Sequence, residues 1–379
     1  MSILNRRLAV AATSVAAAAT GLVAGPAQAA PASSPSSSSG HVVFVQNDDP
    51  AGNTVVAYDR TASGGLRQVG SYPTGGLGGV LAGSVVDHLA SEGSLTYDKA
   101  SGLLFAVNAG SNTVTVFAVR GDRLTRVQVI GSGGSFPVSV TAHGDRVFVL
   151  NARGGGSVQG FRLAGGRLAR VSGWHRGLGL DPAQTPEFTS TPGQIGFTPD
   201  GEQLLVTTKN DGNSILVYRV LPGRLRAPVE TSLPGTVPFG FDFDGAGHLA
   251  VTEVGPNAVA TFDVADNGTL TARDLAATSQ AATCWVVARG STLYASNAGS
   301  ATLSSYRVGP AGELSALGTT GTDKGTVDAT VSSDGSYLYV QAGLAGIVDA
   351  FRIGGDGSLN ATGSVTVPNA AGAEGIVAL

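Results

Sequence analysis

One pattern recurs seven times along this chain, and it limits the fold more than any other feature. Each copy places an aromatic residue in an alternating strand and then makes a tight turn closed by leucine. The aromatics are Tyr58, Phe117, Phe161, Tyr218, Phe262, Tyr306 and Phe351, and the leucines are Leu66, Leu124, Leu168, Leu225, Leu270, Leu314 and Leu359. Successive aromatics are 59, 44, 57, 44, 44 and 45 residues apart. A period near 44 with about four short strands per repeat is that of a β-propeller blade. A β-sandwich built from regular hairpins predicts neither the constant spacing nor the seven copies. The expected fold is therefore all-β: a seven-bladed β-propeller with four-stranded antiparallel blades over residues 41–379. The chain enters at the second strand of a blade, residues 42–45, and ends in a first-strand sequence, residues 374–379. The C-terminal strand should then pair into the first blade and close the ring, leaving no free sheet edge at the joint.

Composition agrees with many tight turns and little helix. Glycine supplies 56 of 379 residues and charged residues only 13%, against roughly 7% and 25% in ordinary proteins. So much glycine disfavours helical arrays, and it lacks the three-residue period of collagen. The 42% hydrophobic content is enough for a sizeable core. Cys284 is the only cysteine, so no internal disulfide forms.

Residues 1–29 read as a signal peptide. Arg6-Arg7 precedes an Ala-rich apolar run, and cleavage is expected after Ala29. The Sec route is favoured over the twin-arginine route. Residues 30–40 are a Pro/Ser-rich linker. The protein is thus expected to be secreted and extracellular. No other apolar run reaches the roughly 18 residues of a membrane span. A net charge of −4 argues against nucleic acid, whose phosphates call for clustered Lys and Arg. A monomer is expected, with no cofactor and no metal.

Two repeat spacings are longer than the rest, and the surplus falls in residues 74–91 and 174–193. Both stretches join the last strand of one blade to the first strand of the next. In a propeller those connections share a face with the turns between the second and third strands, where channel ligands sit. Long loops on a regular scaffold tend to carry function. His88 and His175 are assigned to these insertions as candidate proton carriers. Glu92 and Glu253 are candidate partners, Asp87 can orient or tune a histidine, and Arg153 and Lys209 are candidate anion holders. Glu253 stands where other blades carry Asn108, Asn151, Asn297 or Gln341. His143 and His248 fall in turns on the opposite face and are read as turn residues. Cys284 has no adjacent base to activate it and is read as buried packing. The chain has no Gly-x-Ser-x-Gly, Cys-x-x-Cys or His-Glu-x-x-His motif.

The repeats at residues 105–117, 197–207 and 249–254 resemble the seven-bladed lactonase family, which includes propeller-type 6-phosphogluconolactonases and carboxymuconate-lactonising enzymes. The likeness extends over roughly residues 41–379 and suggests an exported, actinobacterial-type member. It implies metal-independent opening or closing of a lactone by His, Arg and Glu side chains at the channel mouth. Glu253 matches the family's Asn-Glu pair after the second strand, with Thr252 in place of the Asn. Gln194 stands where the family often has a histidine, so His88 or His175 would have to supply that proton carrier. Two readings remain open. One is a secreted hydrolase or cycloisomerase of a small lactone or sugar-acid derivative; the other is a non-catalytic extracellular propeller that binds a ligand or protein on the same face.

Overall fold

The computed structural model describes residues 41–379; the signal-peptide and linker assignments lie outside this range. Seven antiparallel sheets follow one another along the chain. Their innermost strands, here called strand a, are Ile376–Ala378, Leu95–Asp98, Ser135–His143, Ile195–Phe197, Pro238–Phe243, Thr283–Arg289 and Thr326–Val331. Strands b, c and d follow outward in each blade. In the first blade the order is Ile376–Ala378, Val42–Gln46, Thr54–Arg60, Leu66–Pro73, with Val43 opposite Ala378 and Val45 opposite Ile376. The ring is closed as expected. Only the fourth blade departs from four strands: its outer strand is split into Arg224–Leu225 and Val229–Ser232, both paired with Ser214–Leu221.

Burial explains the strand sequences. Strand b is covered on both faces, so Leu103–Asn108 and Thr292–Asn297 are buried at every position and read as near-continuous apolar runs. Outer strands such as Leu314–Gly321 are mostly exposed and polar. The recurring aromatic sits on strand c at a shift in the c–d register. Such bulges fall at Ala57/Tyr58, Val116/Phe117, Gln159/Phe161, Thr261/Phe262, Ser305/Tyr306 and Ala350/Phe351. A bulge increases local twist and bends the strand, and the buried ring beside it fills the space against the neighbouring sheet.

The leucine-closed c–d turns serve as docking points between blades. Tyr72 Oη donates to Asp122 O at 3.0 Å, Trp174 Nε1 to Leu221 O at 2.8 Å and Tyr294 Oη to Gly357 O at 3.1 Å. Gln128 both donates to and accepts from the backbone of Leu168. In each case a side chain of one blade bonds the c–d turn of the next. The repeat therefore marks the contacts that set the blades side by side as well as the blades themselves.

A cavity beneath two interlocked loops

The two inserted connections lie over one end of the ring and are tied to each other. In the second insertion a short helix, Glu187–Ser190, carries Glu187 toward Arg153, which follows strand b of the third blade. Arg153 Nε and Nη2 donate to the two Glu187 oxygens at 2.6 and 3.1 Å. Arg153 also reaches Val80 O, and Glu187 accepts the Ala82 N–H at 2.7 Å, so the pair bridges to the first insertion. Hydrogen bonding by Arg153 lowers the Glu187 pKa. Arg153, expected to hold an anion, is instead engaged with Glu187 and stacked 4.2 Å over the Phe136 ring.

Lys209 makes the buried counterpart of this tie. It begins the short helix Lys209–Gly212 with a left-handed backbone, φ 52°, and its side chain is 1% exposed. Its ammonium donates to Ala90 O (2.6 Å) in the first insertion and to Phe188 O (2.6 Å) and Thr191 Oγ1 (3.0 Å) in the second. All three protons are used, so Lys209 too has no N–H left for a substrate anion. Burial lowers its pKa to about 7, opposed by the nearby charge of Asp87.

Under these loops lies a small cavity of about 160 Å³ that opens to solvent. Its wall combines Val85, Val86 and Ala90 of the first insertion with Phe188 of the second. Phe239 and Trp285, whose rings meet edge to face at 5.0 Å, and Val254, Ala282, Cys284 and Ala298 complete it. Asp87 and Lys209 are its charged residues. Both Asp87 oxygens accept backbone N–H groups, from Leu89 and Ser91 at 2.8 Å, which leaves lone pairs free. Burial raises the Asp87 pKa to about 6; its two backbone bonds and Lys209 oppose that rise.

Glu92 stands at the entry to the innermost strand of the second blade. Its carboxyl lies against Gly240, where a Cβ would come within 2.0 Å of Glu92 Oε2 and 2.7 Å of Cys284 O, so glycine is required for this approach. Glu92 Oε2 is buried without a hydrogen-bond partner. Burial, then the charges of Asp328 and Asp242, raise its pKa well above the usual carboxylate range. These acids belong to a buried series lining the inner strands. Asp48 and Asp328 are raised to about 7 and Asp242 to about 6, in each case chiefly by burial. Glu374 is also raised by burial and by Asp328, Asp87 and Asp48. The two carboxyls thus differ in degree: Asp87, in the cavity wall, is raised to about 6, whereas Glu92, which lies behind the wall, is raised well above the usual carboxylate range.

The remaining candidates do not converge here. His175, assigned to an inserted loop, lies instead within the outer strand Arg167–Gly177, exposed and opposite Gln159. That strand is 11 residues long, so part of the repeat surplus is strand extension. His88 does lie in the first insertion, but its ring packs over Gly372 and it is absent from the cavity wall. Glu253 is buried at the end of strand b in the fifth blade, and its pKa is raised by burial; Val254 beside it lines the cavity instead. The amides at two of its equivalents brace the b–c turn. Asn108 Nδ2 bonds Thr113 and Thr115, and Asn297 Nδ2 bonds Thr302 and Ser304. In the fifth blade those hydroxyls are replaced by Ala258 and Ala260, so the carboxylate accompanies loss of the brace. Sequence reasoning missed Phe188, Phe239 and Trp285 as lining residues. Their one sequence signal is the aromatic start of two innermost strands, Phe239 and Trp285.

Among the described residues, no three His, Cys, Asp or Glu side chains are grouped to hold a metal ion, and no helix is long and apolar enough to cross a membrane. Residues 249–375 match the family model described as Lactonase, 7-bladed beta-propeller. This is the family the repeats resemble. No curated protein sequence matches the chain. Among solved structures, this propeller is similar to a Bacteroides uniformis protein assigned as a 6-phosphogluconolactonase (TM-score 0.72, 17% identity, 89% of this chain and 99% of that chain). It is also similar to the periplasmic gluconolactonase of Pseudomonas aeruginosa (TM-score 0.71, 18% identity, 89% and 99%). The virginiamycin B lyase of Staphylococcus aureus is more distant (TM-score 0.53, 15% identity, 77% and 90%). At these identities the likeness establishes the shared propeller fold.

Proposed function

We propose that the protein hydrolyses a small lactone in the loop-covered cavity, with Asp87 as general base and Glu92 as general acid. The observation that carries this reading is Asp87, a carboxylate in the cavity wall, with the more strongly raised Glu92 carboxyl behind that wall against Gly240 and near Cys284 O, a divergence of the kind that assigns base and acid roles. Asp87 takes a proton from water as the water oxygen bonds to the lactone carbonyl carbon. Collapse of the tetrahedral intermediate breaks the ring C–O bond, and Glu92 protonates the departing alkoxide. The product is the open hydroxy acid. Return of the Asp87 proton to Glu92 through solvent restores both groups. Lys209, in its protonated form, contributes a positive charge that favours the ionised form of Asp87.

A lactonase-family match and neighbours named as gluconolactonases support a hydrolase of this class. The same cavity also suits a purely binding propeller, because its hydrogen-bond donors are already engaged. Hydrolysis of a lactone panel by wild type and Asp87→Asn separates the two. Removing a general base is expected to lower kcat by about 100-fold or more, whereas the absence of turnover by wild type on every lactone leaves only the binding reading.

A further inference from the structure

The donors around the cavity point to a substrate class unlike that of the sugar-lactone neighbours. Ser84 Oγ donates to Leu81 O at 2.8 Å, with His88 O at 3.2 Å. Trp285 Nε1 donates to Ser91 O at 2.7 Å. Thr189 Oγ1 donates to Pro186 O at 3.0 Å, and Lys209 uses all three of its protons as described. The Cys284 thiol, a weak donor, is pushed up to about 12 by burial. Every strong side-chain donor in the wall is therefore bonded to protein. The one charged group with free lone pairs is Asp87, a carboxylate. A phosphoryl group placed here would meet the Asp87 carboxylate and a Lys209 ammonium whose protons are already engaged, with no unengaged side-chain donor, and a polyol would lose hydrogen bonds to water that the side chains of the wall do not replace.

What the wall does offer is hydrocarbon and aromatic surface, continued outward by Val85, which is 65% exposed at the lip. We infer that the cavity takes an uncharged lactone bearing an alkyl or aryl substituent and rejects phosphorylated and polyhydroxylated sugar lactones. The inference rests on the cavity being the site proposed above, but it concerns recognition and is tested separately from turnover.

The experiment compares δ-decalactone, D-glucono-δ-lactone and 6-phospho-D-glucono-δ-lactone as substrates. Titration calorimetry with a δ-lactam carrying the same pentyl chain and with the gluconolactam reports binding without chemistry. The alkyl lactone is expected to exceed both sugar lactones in kcat/KM by about 100-fold or more, because unpaired polar groups discriminate more strongly than missing methylenes. Saturable binding of the alkyl lactam with negative ΔCp, without turnover of any lactone, ends the hydrolase reading and leaves the ligand class standing. Equal or better use of either sugar lactone overturns the inference while preserving the hydrolase. Failure of both lactams to bind overturns it as well. Val85→Lys, at the exposed lip, adds a cation with little risk to folding. It should shift the ratio of alkyl-lactone to phosphorylated-lactone kcat/KM, or of the two bindings, at least tenfold toward the anion; an unchanged ratio rejects this cavity as the source of selectivity.

Discussion

Asp87 and Glu92 stand five positions apart at the end of one inserted connection, and their surroundings raise Glu92 further than Asp87. Asp87 keeps two backbone donors and a nearby ammonium, whereas Glu92 Oε2 has no partner and faces other acids. With Asp87 raised only to about 6, the base is lost as pH falls through that value. Turnover should therefore fall on the acid side near pH 6 and on the alkaline side only where Glu92 ionises, as read from a kcat profile; a flat profile from pH 5 to 8 would exclude Asp87 as base. His175→Ala is expected to change kcat less than twofold. Histidine was the natural suspect in the sequence because its ordinary pKa lies near neutrality. The Lys209 charge that acts on Asp87 comes from a position 122 residues away, which no local motif records. Glu92 carried the right signal, a carboxylate at the entry to an innermost strand, but the rise in its pKa comes from burial and then from Asp328 and Asp242 of other blades.

At the scale of elements, the two insertions act as one cover because two cations pin them together. The Arg153–Glu187 pair is partly exposed, so its own contribution is only about 0.5 kcal/mol. Lys209 is another matter. Lys209→Met leaves the carbonyls of Ala90 and Phe188 without their donor, a loss of about 1–3 kcal/mol for each buried acceptor left unpaired. The expected readout is rapid protease cleavage within residues 178–194 together with a lower Tm, while Glu187→Gln changes Tm little. Unchanged proteolysis in Lys209→Met would show that the cover does not depend on this tie. The insertions themselves were visible as long repeat spacings. Their inner boundary was not, because a strand extended to Gly177 and a longer loop add the same number of residues to a spacing.

For the whole molecule, the channel acids set a pH dependence of stability. Asp48, Asp87, Asp242, Asp328, Glu92 and Glu374 are all raised above their unfolded values. A raised carboxyl binds its proton more tightly when folded, so its stabilisation is fully present below the unfolded pKa near 4 and is lost as pH rises through 6 to 7. Lys209, lowered to about 7, opposes this only above that pH. The Tm should thus be higher at pH 5 than at pH 7, by about 5 °C or more given several such groups; scanning calorimetry showing the reverse would place the acids in a hydrated, unshifted channel. The ring itself was legible in the sequence because each blade repeats the same aromatic bulge and the same docking turn. The closing joint has a further consequence in time. The strand Ile376–Ala378 that completes the first blade lies almost the full described chain away from its partner Val42–Gln46. A nascent chain therefore carries an open ring with an unpaired first strand until residues 376–378 emerge. Blades can gather earlier, but this strand is the one that locks the circle.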